Sequence, residues 1–500
     1  MHRFLAALAA LILAAAAAPA VADAPRPTVT IDAGQLAGIR DGSVEVFKGI
    51  PYVAAPVGPL RWAPPQPAQP WGGVRDASKF GAICPQPSGP RGDFGQTQSE
   101  DCLFLNVWRP AGAAKAPVMV WIHGGAFRLG AGSLPYYSGA DFARDGVILV
   151  SINYRLGALG FFAHPALTKA AAPDAPLGDY GLMDQIAALQ WVKRNIAAFG
   201  GDPDNVTIFG ESAGGVSVLD LMTIPAARGL FAKAIVESGG GWGAERDLAS
   251  AEQAGVAIAQ GAGLGPDATL AQLRALPADK LLKGPMTLAG FNPFTDGRLV
   301  KESATRAFAA GREAHVPLII GSNSYEASLM QAFKIAPQAM LARLPPAMRA
   351  LYPANDDAAA AAVFTDSIMG APAHWLAGKV SAHAPAWLYH FSYVPTLQRG
   401  RTPGAGHGGE VIYVFGAWSG AISQYASPDD HLMEQAVHSC WVAFAKLGKP
   451  ACDGGAWPAY SPATDELMEF GDRVGPVAHF RQAQYDALDR VMLPAVLSAR

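Results

Sequence analysis

The chain has 500 residues, a formal net charge of −3, 50% hydrophobic residues and only 16% charged ones. That balance suits a large packed core and excludes a disordered or solvating chain. With a mild charge and no basic block, neither nucleic acid nor an anionic membrane surface is indicated as a partner.

Residues 1–22 read as a signal peptide. Arg3 precedes an apolar Leu/Ala run, and Ala20-Val21-Ala22 offers an A-x-A cleavage site, so the mature chain is expected to start at Asp23, with cleavage after Ala24 as the alternative. The run is short and Ala-rich for a membrane span, with an uncleaved anchor as the alternative reading, and no cysteine follows to take a lipid. Export to the periplasm or beyond the cell is therefore expected, and four cysteines fit an oxidising compartment. No linker, repeat or composition break follows, so residues 23–500 read as a single domain.

The Pro-rich stretch 51–70 is expected to wrap the surface. Next, Pro117-Val118-Met119-Val120 reads as a strand that opens through Trp121-Ile122 into the Gly-rich loop His123-Gly124-Gly125-Ala126-Phe127. Acyl transfer needs backbone N–H donors aimed at a developing oxyanion, and small residues let the backbone come close. A His-Gly-Gly loop after an early strand is half of such an oxyanion hole in α/β-hydrolases. Between residues 117 and 240, strand-like and helix-like segments alternate, which indicates a mostly parallel sheet with covering helices.

Asn205-Val206-Thr207-Ile208-Phe209 reads as a buried strand and runs into Gly210-Glu211-Ser212-Ala213-Gly214-Gly215. This is a G-x-S-x-G nucleophile elbow. A serine pinched between strand and helix sits on a sharp turn, and only small neighbours leave room for it. Val216, Val218, Leu219 and Met222 continue with helical spacing. Asn205-Val206-Thr207 also matches a glycosylation acceptor, but its place in a core strand argues against use.

Ala-rich helical stretches at about 245–285 and 325–380 are expected to form a cap and the wall of the site. Leu318-Ile319-Ile320 reads as a strand ending in the polar loop Gly321 to Glu326. Gly404-Ala405-Gly406-His407-Gly408-Gly409-Glu410 is a second Gly-rich loop. His315, His390 and His438 sit in apolar sequence contexts and read as packed, hydrogen-bonded histidines.

Taken with Phe47-Lys48-Gly49-Ile50-Pro51-Tyr52, Pro56-Val57-Gly58-Pro59-Leu60-Arg61-Trp62, Ser99-Glu100-Asp101-Cys102-Leu103-Phe104-Leu105-Asn106-Val107, Asn153-Tyr154-Arg155, Asp184-Gln185 and Phe199-Gly200-Gly201-Asp202-Pro203, the chain resembles the type-B carboxylesterases of the cholinesterase group. Bacterial members of para-nitrobenzyl-esterase type are the most similar. The resemblance covers nearly all of the chain after the leader. It implies an α/β-hydrolase fold, with a mostly parallel central sheet, helices on both faces and helical cap excursions. It also implies hydrolysis of small to medium carboxylic esters through an acyl-enzyme intermediate, with no cofactor and no metal.

By the same resemblance Ser212 is the nucleophile, His407 the base and Glu326 the acid, with Asp296 as the next carboxylate to test. Gly125, Ala126 and Ala213 supply the oxyanion-hole N–H groups, Ser238 supports the acid, and Glu410 is a structural carboxylate beside the site. Trp242 is a candidate wall of the acyl pocket. Cys84 and Cys102 match the family's N-terminal disulfide loop. For Cys440 and Cys452 the family implies no clear pairing, and that bridge stays open. An amidase, lactonase or carbamate hydrolase could run on the same machinery, and the fold alone does not name the substrate. A catalytically dead binding module would have no need of Ser212, Glu326 and His407 together. Oligomeric state is not legible.

Overall fold

The computed structural model describes residues 25–500 apart from 90–93, 244, 284–289, 343, 419, 454 and 499–500. The expected leader at residues 1–22 lies outside the described residues. An 11-stranded sheet runs in the order Val474–Ala478, Glu466–Phe470, Ala386–Phe391, Leu318–Asn323, Lys233–Glu237, Gly201–Glu211, Ala116–Ile122, Ile148–Ile152, Phe104–Pro110, Val44–Pro51, Ile39–Asp41. From Glu466–Phe470 across to Ile148–Ile152 every neighbouring pair is parallel. Both flanks are antiparallel. A separate 3-stranded sheet joins Thr28–Ile31, Gly34–Ala37 and Val74–Asp76.

The parallel strands are apolar runs because helices cover both faces, and successive side chains point to opposite sides. In Ala116–Ile122, Val118, Val120 and Ile122 pack into one core with Leu182, Leu189 and Val192 of the helix Tyr180–Asn195 and with Val218 and Leu221 of Ala213–Thr223. Met119 and Trp121 enter the other core with Phe142, Phe209, Val437 and Trp441. Each such side chain, fully buried, contributes roughly 1.5–3 kcal/mol. This two-sided burial fixes the register, since a one-residue slip would exchange the two faces.

The cap is helical where the sequence is Ala-rich, in Leu248–Gly261, Asp356–Thr365 and Ala371–Val380, with shorter helices between. A π-helical turn, Asp366–Gly370, interrupts the last two. The Pro-rich stretch 51–70 holds one short turn, Gly58–Leu60, and anchors through Trp62, whose indole N–H donates to the Ala158 carbonyl at 2.7 Å. Disulfides link Cys84 to Cys102 and Cys440 to Cys452. The second ties the helix Pro428–Leu447 to the segment beyond its Gly448 cap. Asn205 accepts from Lys233 Nζ and Thr207 is buried, so this acceptor sequence is held in the sheet rather than presented to solvent.

Candidate active site

Four parallel strands deliver the candidate residues at their carboxyl ends, which is where open α/β sheets bind ligands. Ala116–Ile122 leads to His123 and the Gly-rich loop, Gly201–Glu211 to Ser212, Lys233–Glu237 to Ser238, and Leu318–Asn323 to Glu326.

Ser212 stands between strand and helix at φ 57° and ψ −122°. A non-glycine residue there stores about 1–3 kcal/mol of strain, so the surroundings must hold it. They do so through backbone hydrogen bonds: the Ser212 N–H donates to the Glu237 carbonyl at 2.9 Å, and Val216 N–H donates to the Ser212 carbonyl at 2.9 Å. Close packing explains the small neighbours. A Cβ on Gly214 would lie 1.9 Å from the Ile122 carbonyl oxygen, so any side chain there would push the helix off the sheet.

The oxyanion-loop candidates have an unusual backbone. Gly125, Ala126 and Phe127 follow one another at φ 108°, 54° and 56°. The N–H groups of Arg128 and Leu129 both donate to the Gly125 carbonyl at 3.0 Å, which pins the turn. Ala213 opens its helix, so its N–H has no intrahelical acceptor. Behind the loop, the His123 ring stacks on Tyr154 at 4.5 Å. Burial pushes its pKa down to about 4. The neutral ring therefore carries its proton on Nδ1, 2.8 Å from the Gly124 carbonyl.

Glu326 is fully buried, and its two oxygens are used differently. Oε1 accepts from the Asn323 N–H at 2.7 Å and from Ser238 Oγ at 2.6 Å. Oε2 lies 2.6 Å from His407 Nδ1. The His407 loop is held in turn by its own N–H donating to Ser328 Oγ at 2.9 Å. Burial disfavours the His407 cation, but Glu211 and Glu326 beside it outweigh that and raise its pKa to about 9. Asp296, the other carboxylate considered from sequence, accepts from the N–H groups of Leu177, Arg298 and Val300 at 2.9–3.0 Å and organises a cap loop instead.

Of the buried carboxylates around this centre, sequence reasoning named Glu410 and missed Glu211 and Glu237. Glu211 reaches His407 Nε2 at 3.0 Å, and burial pushes its pKa up to about 7. Glu410, pushed up to about 8 chiefly by burial, accepts from Asn323 Nδ2. Glu237 accepts from the Trp441 indole at 2.8 Å, and burial raises its pKa. Ser212 opens into a cavity of about 440 Å³ whose lining includes Ala126, Ala213, Trp242, Phe333 and Met369. Asp220 also lines it, its pKa pushed up to about 7 by burial, with Oδ2 free of hydrogen bonds among the described residues. Helical spacing was its available signal, since positions 212, 216 and 220 share one face.

His390 and His438 are buried and hydrogen-bonded, to Glu469 at 2.7 Å and to the Val414 carbonyl at 2.7 Å. His315 departs in part from the sequence reading: its ring is exposed, while its Nε2 lies 3.3 Å from the Gly311 carbonyl.

The sequence profile described as "Carboxylesterase family" matches residues 25–351 and 346–488. The para-nitrobenzyl esterase of Bacillus subtilis is 38% identical over 475 residues, covering 88% of this chain and 94% of that protein. The fumonisin B1 esterase of Sphingopyxis macrogoltabida is 36% identical over 511 residues, covering 93% of this chain and 90% of that protein. A solved structure titled "PNB esterase" superposes with a TM-score of 0.80 at 36% identity, covering 93% of this chain and 100% of that one.

Proposed function

Since the chain belongs to the carboxylesterase family and is a serine carboxylic-ester hydrolase, we propose that Ser212, His407 and Glu326 carry its chemistry. The observation that carries this reading is the 2.6 Å contact between Glu326 Oε2 and His407 Nδ1 beside the strained Ser212 turn. A serine hydroxyl is a weak nucleophile until a base takes its proton. Glu326 holds the Nδ1–H tautomer, which leaves the lone pair on Nε2 for the Ser212 proton. As the ester is attacked, negative charge develops on its carbonyl oxygen, and the N–H groups of Gly125, Ala126 and Ala213 receive it. Losing one such donor typically costs about 3 kcal/mol of transition-state stabilisation. The imidazolium then protonates the departing alcohol, and water attacks the acyl-enzyme by the same route.

Ser238 positions Glu326, and Glu410 fixes Asn323 beneath it. The substrate is a small to medium ester that fits the cavity beside Trp242. Residues 1–22 direct export to the periplasm or the exterior, a compartment that two disulfides suit. No helix among the described residues is long and apolar enough to cross a membrane. Residues 23–500 act as one domain.

Steady-state kinetics of Glu326→Gln and Asp296→Asn test the assignment. Glu326→Gln should lower kcat by about 10³-fold or more, as loss of the tautomer-fixing acid does, with the protein still folded. A nearly active Glu326→Gln beside an inactive Asp296→Asn contradicts the reading.

A further inference from the structure

At the amino ends of two neighbouring strands, the end of the sheet remote from Ser212, three metal-ligand side chains meet. Residues 311–316 lead into Leu318–Asn323, and residues 381–385 lead into Ala386–Phe391. These strands are parallel with Leu318 opposite Ala386, and the Leu318 N–H donates to the Pro385 carbonyl at 3.1 Å. The first segment contributes Glu313 and His315, the second His383. One ligand atom from each of the three lies within 4.8 Å of the other two.

Glu313 supplies the independent observation. It is 2% exposed, yet both of its carboxylate oxygens are buried without a hydrogen-bond partner among the described residues. A carboxylate left so is costly, and buried charges are otherwise paired or bound to metal. The adjacent cation does not relieve it, since Arg312 is engaged with Glu302. The two histidines are exposed and stacked, with ring centroids 4.6 Å apart and planes 11° from parallel. Each imidazole can offer a ring nitrogen to a metal. Gly311, at φ +65°, lets the backbone pass beneath, because a Cβ there would lie 2.8 Å from His383 Nε2.

We propose that Glu313, His315 and His383 bind a divalent transition-metal ion of the zinc type. Two imidazoles and one carboxylate are a donor set that zinc takes readily, with bonds of about 2.0–2.2 Å and water in the fourth position. Tetrahedral ligand atoms then stand roughly 3.5 Å apart, so the three must close by about 1 Å. Rotation of the two exposed rings supplies that movement. The bound ion ties the 311–316 loop to the 381–385 turn and stabilises the native chain by mass action. It takes no part in ester hydrolysis.

The test uses the full chain without a polyhistidine tag, stripped with EDTA, dialysed, and titrated separately with ZnCl2 and CoCl2. Wild type should bind one ion per chain, show visible ligand-field bands with Co²⁺, and gain Tm with rising Zn²⁺. Glu313→Gln and the His315→Ala/His383→Ala double variant should each weaken binding by more than about tenfold, with kcat/KM unchanged. Should Glu313→Gln not fold, His383→Asn at an exposed position decides in its place. Zn²⁺ binding of unchanged stoichiometry and affinity in the double variant, or no binding by wild type, overturns the proposal.

Discussion

His407 Nε2 lies 3.0 Å from Glu211 Oε1. Both atoms are buried and neither has a hydrogen bond among the described residues, and a carboxylate that close favours the protonated ring. Against burial, Glu211 and then Glu326 raise the His407 pKa to about 9. In the proposed mechanism the active form of His407 is the neutral imidazole, whose share grows as pH rises through that value. The kcat/KM profile should therefore climb through an apparent ionisation above the ordinary histidine value of about 6.5. Glu211→Gln removes the negative charge and should move the midpoint to lower pH by about one unit or more. An unmoved midpoint in a folded Glu211→Gln variant denies Glu211 this role.

Trp242 is the candidate wall on the acyl side of the site. It lines the cavity beside Ser212, is partly buried against the core, and meets Trp375 edge-on at 6.5 Å. A bulky aromatic removes the volume a long chain needs, so acetyl to butyryl esters should outperform long-chain ones. Trp242→Ala should shift preference toward longer acyl groups. The shift should be graded, because one methylene is worth only about 1–3 kcal/mol of discrimination. A series of p-nitrophenyl esters of increasing acyl length reads this directly. An unchanged acyl-length profile in a folded variant would return Trp242 to a packing role.

The parts of this protein that were legible in sequence are those fixed by local sterics. Gly210, Gly214 and Gly215 announce a serine on a tight strand-to-helix turn because no larger residue fits there. The apolar runs at 117–120 and 318–320 announce buried strands for the same local reason, and both lie in the central sheet. The candidates Glu326 and His407 came from resemblance and chain order rather than from any periodicity. Glu211 beside His407 and Glu237 beneath Trp441 escaped notice because contacts across loops and layers leave no repeat in the chain. The antiparallel flanks were likewise hidden, since short strands such as Ile39–Asp41 carry little pattern. His315 misled because Val316 to Ile320 made its surroundings look apolar, although the buried strand begins only at Leu318.

The central claim is that Ser212 is the nucleophile, and covalent labelling tests it most directly. Intact-mass and peptide mass spectrometry after treatment with a fluorophosphonate should find one adduct per chain, on Ser212. Ser212→Ala should lose both the adduct and ester hydrolysis while keeping its fold. Stoichiometric labelling retained in Ser212→Ala, or an adduct mapped to another serine of the active wild type, would contradict the account.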